Sequence, residues 1–103
     1  MRYRKAIDAN QKEIVAALRA AGWKVHDTHA LGGGIPDLAV WREGGPRVWV
    51  EIKMPGEKVT EAERAFFSAW GAGDKLIVYG AEDALEKLRA FDGRSNPCSP
   101  RTK

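Results

Sequence analysis

Residues 35–53 read Ile35-Pro36-Asp37-Leu38-Ala39-Val40-Trp41-Arg42-Glu43-Gly44-Gly45-Pro46-Arg47-Val48-Trp49-Val50-Glu51-Ile52-Lys53. Two strand-like runs are punctuated by Gly44-Gly45-Pro46, which predicts a hairpin. Successive strand side chains point to opposite faces, so Val48, Val50 and Ile52 share one face and Glu51 and Lys53 project from the other. A lone acid-X-lysine is most simply a pair shown to water. Here an acid, Asp37, stands at the mouth of the neighbouring strand, with thirteen residues between it and Glu51. Two carboxylates and an ammonium can then gather around one divalent cation, an arrangement suited to phosphodiester chemistry.

The hairpin imposes a parity condition. Residues opposite one another share a face, so Asp37 joins Glu51 or Lys53 only if paired residue numbers sum to an even total. A loop of Glu43 to Pro46 would pair Asp37 with Ile52 and turn it away. The functional reading requires an odd loop, such as Arg42 to Pro46, or a bulge.

At 103 residues the chain predicts one domain with a single core. No apolar run approaches a membrane span, and the segment after Met1 is amphipathic rather than a signal core, which predicts a cytoplasmic protein with no membrane partner. The single cysteine, Cys98, cannot form an intramolecular disulfide, and no Cys cluster or His-X-X-X-His spacing argues for zinc. A net charge of +3 and a pI near 9.2 suit a polyanionic partner without requiring one.

From about Ala6 to Ala21, Ile7, Ile14 and Leu18 recur at helical spacing, and Gly22 ends the helix. Gln11 lies about 40° from the centre of that apolar face at 100° per residue. A polar amide there needs a partner: a backbone group, or the pocket that Asp37 and Glu51 would face. Trp23 to His29 alternates as a strand, from which His26, Thr28 or His29 could lean toward the site, and none is assigned. In Leu31-Gly32-Gly33-Gly34-Ile35, Gly33 and Gly34 could let the backbone approach a phosphate, although the context is not that of a nucleotide-binding loop.

Pro36 to Trp41 and Arg47 to Lys53 form the hairpin. Thr60 with Glu63 makes a capping box for a second helix, whose Phe66, Phe67 and Trp70 are expected in the core. Lys75 to Tyr79 reads as a buried strand and Ala81 to Phe91 as a third helix with Leu85 and Leu88 inward. The domain is expected to span 1–91, with 92–103 a flexible basic tail. The order is αβββαβα, an α/β fold with a mixed central sheet flanked by helices.

In their order and setting, Gln11, Pro36-Asp37, Glu51-Ile52-Lys53 and the Thr60 helix resemble the PD-(D/E)XK nuclease superfamily. Within it, the sequence is most similar to the small phage and bacterial proteins of the VRR-NUC group, with archaeal Holliday junction resolvases as more distant relatives. The resemblance runs from Asp8 to about Leu88 and implies a restriction-endonuclease-like core. It further implies Asp37, Glu51 and the Ile52 backbone carbonyl as ligands of Mg2+ or Mn2+, and Lys53 as the catalytic lysine. Relatives often carry glutamate where this chain has Gln11, and glutamine where it has Glu63. A glutamine at position 11 keeps an oxygen for a metal or its water but loses a charge, which weakens cation binding.

Oxygen ligands of this type suit hard cations. The expected function is metal-dependent hydrolysis of DNA, selective for branched or junction substrates, in phage or bacterial replication, repair or recombination. Lys12, Arg42, Lys58 and Arg64 are candidate phosphate contacts by charge and neighbourhood, and a symmetric dimer would present two cutting sites. The alternatives are a nuclease fold that binds DNA with weak or no catalysis, and a partner-binding protein whose charged triad is merely solvated.

Overall fold

The computed structural model describes residues 2–70 and 74–95. Its elements run α1 (Arg2–Ala20), β1 (Lys24–Asp27), a 3-10 turn (His29–Leu31), β2 (Leu38–Trp41), β3 (Arg47–Ile52), α2 (Glu61–Trp70), β4 (Lys75–Val78) and α3 (Ala81–Ser95). This is the expected αβββαβα order. The four strands form one sheet in the order β1-β2-β3-β4. The first three pair antiparallel, and β4 joins β3 in parallel after the α2 crossover.

The hairpin takes the odd register. Trp41 pairs with Arg47 and Leu38 with Val50, leaving Arg42 to Pro46 as the loop. The Arg42 N–H donates to the Pro46 carbonyl and the Gly45 N–H to the Arg42 carbonyl, which closes the turn. Extending the register by one residue sets Asp37 level with Glu51.

One face of the sheet carries Val25, Leu38, Val40, Val48, Val50, Ile52 and Val78, all buried. These pack with Ile14 and Leu18 of α1 and Ala84 and Leu88 of α3 in one core. Helix α1 ends where Gly22, at φ +96°, allows the left-handed turn that a side chain disfavours. The Trp23 N–H then reaches back to the Leu18 carbonyl and the Gly22 N–H to that of Arg19. That is the Schellman pattern, and it drives Trp23 into the core beside Leu18.

Several boundaries differ from expectation for local reasons. Strand β1 stops at Asp27 because its carboxylate accepts the His29 N–H, an Asx-type turn that bends the chain away. Strand β2 starts at Leu38, after Pro36, which has no N–H for a ladder. Helix α1 begins four residues earlier than Ala6, and α3 continues past Phe91 to Ser95, into the segment expected to be tail; residues 96–103 lie outside the described residues.

Phe66 and Phe67 are only half-buried and are not part of the core. They form a small edge-on aromatic layer with Trp49, whose ring centroid is 5.6 Å from that of Phe66. Helix α2 therefore sits over β3 on the sheet face opposite the core. The Trp70 side chain lies outside the described residues. No helix among the described residues is long and apolar enough to cross a membrane.

Candidate active site

Strand alternation places Glu51 and Lys53 on the α2 side of the sheet, yet neither is solvated: Glu51 is 6% and Lys53 2% exposed. Asp37 joins them from β2's mouth. Regular β2 pairing begins at Leu38, so the Ile52 N–H meets no strand carbonyl and donates instead to Asp37 Oδ2 at 2.8 Å. The N–H and C=O of one antiparallel strand residue face the same neighbour, which puts the Ile52 carbonyl on the edge that Asp37 occupies.

Lys53 is the hub of the charges. Its Nζ donates to Glu63 Oε1 and Oε2 at 2.7 and 3.0 Å and lies 3.5 Å from Glu51 Oε2 and 3.7 Å from Glu57 Oε2. Glu63 is fixed by the capping box expected from the sequence: its N–H donates to Thr60 Oγ1, and its Oε1 accepts the Thr60 N–H. Glu57 is held by the Met54 N–H.

Three carboxylates surround one ammonium and Asp37 adds its charge beside Glu51, so the excess negative charge falls on Glu51. Burial, then the charge of Asp37, then hydrogen bonding and repulsion from Glu63 push its pKa up to about 8, against the smaller pull of Lys53. Burial drags Lys53 down, but the Glu63 hydrogen bond and the charges of Glu51, Glu63 and Glu57 outweigh it, so the lysine ends above its ordinary value. Burial likewise pushes Glu63 up, and its bonds to Lys53, Thr60 and Glu51 leave it below the usual carboxylate range. Glu51 Oε1 is buried without a hydrogen-bond partner.

Gln11 is buried at 7% exposure, as its place in the α1 stripe predicts, but its partner is neither a backbone group nor Asp37. Its Nε2 donates to Asp27 Oδ2 at 3.0 Å, while its Oε1 is buried and unpaired. Asp27 pairs with Leu38 and so faces the core side, where α1 lies. Its other oxygen accepts the His29 N–H, and the His29 ring places Nδ1 3.2 Å from Asp37 Oδ1. A continuous polar chain thus runs from α1 around the sheet end: Gln11, Asp27, His29, Asp37, Ile52. A cleft of about 550 Å³ borders it, lined by Asp8, Gln11, Lys12, Arg19, Asp27 and His29 among others.

The other sequence candidates scatter. Lys12 lies in that cleft, and Lys58 and Arg64 are exposed before and on α2. Arg42 sits at the hairpin's far end, stacked on Trp23 with Cζ 4.1 Å from the ring centre and donating to the Ala21 carbonyl. Gly33 is exposed at φ +66° with open space around it. Gly34, at φ +85°, is pressed against α2, where a Cβ would collide with the Ala62 carbonyl. Its lack of a side chain lets the loop meet the helix, which is a packing requirement.

Asp27, His29, Glu57 and Glu63 are the site residues that the sequence leaves unassigned. Glu63 is visible as a capping residue but not as the partner of Lys53. Asp27 has a faint signal, as an acid ending a strand two residues before a histidine. Glu57 has none beyond following a turn.

The VRR-NUC domain family matches residues 2–71 of the chain. The chain is also 30% identical over 87 residues to the protein named "Putative nuclease p44" of Acyrthosiphon pisum secondary endosymbiont phage 1, covering 82% of this chain and 94% of that relative. No solved structure matches it. With more than half of its length matched, and with Asp37, Glu51 and Lys53 gathered at one sheet end, the chain belongs to the VRR-NUC domain family.

Proposed function

We infer that the protein is a Mg2+- or Mn2+-dependent DNA endonuclease that hydrolyses phosphodiester bonds. The observation that carries this reading is the orphaned Glu51 Oε1, buried among more carboxylates than Lys53 can balance. A buried carboxyl raised to about 8 is unfavourable as an anion until a further cation arrives. Among the described residues no three His, Cys, Asp or Glu side chains form a ready cage for a metal. Two carboxylates, Asp37 and Glu51, with the Ile52 carbonyl fit a hard ion that keeps several of its waters, as magnesium does.

When bound, the ion would orient the scissile phosphate, ease hydroxide formation and offset charge on the pentavalent transition state. The chain's own groups do the rest. Asp37 is aimed by the Ile52 N–H and the His29 ring. Lys53, held by both oxygens of Glu63, keeps a positive charge fixed beside Glu51 in a water-poor pocket, where it acts more strongly than in solvent.

The polar chain behind Asp37 makes a separate demand. His29→Ala removes the ring that fixes one Asp37 oxygen, and such supporting partners are worth roughly 10–100-fold in metal affinity or activity. The expected result is weaker Mn2+ binding by that factor in calorimetric titration with the fold retained. Unchanged Mn2+ affinity would show that Asp37 needs no such support.

A dimer offering two sites is part of the proposal, since a small domain has little surface to grip a branched substrate alone, and selectivity for branched or junction DNA rests on the resemblance to junction resolvases. A second reading, a DNA-binding protein with weak catalysis, is favoured by the depth at which Glu63 clamps Lys53. Labelled four-way junction, flap, duplex and single-stranded DNA, incubated with Mg2+, Mn2+ or EDTA, separate the two. Metal-dependent products, strongest on branched DNA, are expected. Binding in EDTA with no product in either metal would establish the second reading.

A further inference from the structure

The sheet face that carries the acidic site also carries cations that the site does not use. Paired residues share a face, so the register sorts this face into rungs. Asp37 and Glu51 form the rung at one end. His26, Ala39 and Trp49 form the next, and Lys24, Trp41 and Arg47 the one beyond. Helix α2 covers Trp49 through Phe66, while Lys24, His26 and Trp41 of β1 and β2 stay exposed on this side. Lys24 and Arg47 are exposed and neither has an ion-pair partner among the described residues, while Trp41 is 37% exposed, high for so large an apolar side chain.

We propose that Lys24, Trp41 and Arg47 form the track that seats the DNA strand leading into the Asp37–Glu51 site. This rests on the nuclease reading and assigns its substrate surface. Two cations flanking a flat aromatic ring match a phosphate backbone with a base against the indole. At about 3.4 Å per strand residue the basic rung lies roughly 13 Å from the acidic one, the axial length of about four base pairs. Two cations on this rung, unpaired among the described residues, make it complementary to a polyanion. Helix α2 walls the floor on the β3 side, so a strand running along β1 and β2 is led toward Asp37. The basic residues suggested by sequence alone, Lys12, Arg42, Lys58 and Arg64, do not lie on this rung.

The test is DNA affinity of the full chain in EDTA across a salt series, for wild type, Lys24→Ala/Arg47→Ala and Trp41→Ala, with cutting in Mg2+ and sedimentation alongside. Both cations are exposed, so the double variant should melt as wild type does. It is expected to bind more weakly, with a log-log salt slope shallower by about two, one for each lost phosphate contact. The cutting rate at saturating DNA should hold. Trp41→Ala should lose more affinity for single-stranded or flap DNA than for duplex. Unchanged affinity and slope, in a protein that binds and cuts, would overturn this track and leave the nuclease reading intact. Loss of a dimer by Trp41→Ala with DNA affinity unchanged would make the face a self-interface and overturn the track as well. A wild type that neither binds nor cuts any DNA would remove the nuclease reading itself.

Discussion

Glu51→Gln will raise the melting temperature of the metal-free protein at pH 8 while abolishing cutting. The two effects have one cause. Glu51 is buried beside Asp37 and Glu63, and its carboxyl is pushed up to about 8. Because the folded value lies above the unfolded one, the folded protein holds a proton that the unfolded chain releases. The stability linked to that proton is fully present below about 4.5 and is lost as pH rises toward 8. Glu63 has the opposite sign: its folded value is lowered, so its contribution is present above the ordinary value of 4.5 and fades as pH falls below it. The metal-free wild type should therefore melt progressively lower from about pH 5 to pH 8, and Mg2+ should counter the decline by binding the ionised site. A glutamine is neutral at every pH and its amide can donate to Glu63. The gain at pH 8 is on the order of 2 kcal/mol, or roughly 10 °C for a chain of this size. Melting curves across that pH range, with and without Mg2+, check it. A wild-type profile that rises with pH in the absence of metal would show that Glu51 is not the strained group.

Lys53→Ala is expected to cost both the fold and the chemistry. The side chain is 2% exposed, and three carboxylates depend on its charge. Removing one member of a buried ion pair leaves the others uncompensated, a loss of about 3–5 kcal/mol. That is a large share of the roughly 5–15 kcal/mol that holds a typical domain together. Lys53→Met with Glu63→Gln keeps most of the stem's volume and removes the strongest unpaired charge, so it should melt well above Lys53→Ala. It should nonetheless cut no faster, because the positive charge beside Glu51 is gone. Comparing melting and single-turnover rates for the two variants separates the structural share from the chemical one. If Lys53→Ala melts and cuts as wild type does, Lys53 has neither role.

Much of this was legible along the chain because it depends on periodicity. Alternation put Glu51 and Lys53 on one face, parity stated which hairpin loop would bring Asp37 to them, and that loop is the one found. The helical wheel placed Gln11 in the α1 stripe, and Thr60 with Glu63 predicted the start of α2. What was not legible depends on where separate elements meet. Asp27 is the partner of Gln11 only because α1 crosses the end of β1, and His29 reaches Asp37 only because the chain turns after Asp27. Alternation assigns Lys53 to a face but not its depth, which is set by Glu63 arriving on another helix. Phe66 and Phe67 carry the same apolar character as core residues, yet a helix above a single strand leaves them half-covered. The close approach of Gly34 to Ala62 likewise has no local signal.

The most direct measurement is the single-turnover cutting rate of labelled branched DNA at saturating protein and pH 8, for wild type and Glu51→Gln, in Mg2+ and in EDTA. Products are expected from wild type in Mg2+ alone, and a rate for Glu51→Gln lower by at least two to three orders of magnitude from a protein that is folded and still binds DNA. Cutting by Glu51→Gln at the wild-type rate, or by wild type in EDTA, would contradict a metal-dependent site at Glu51.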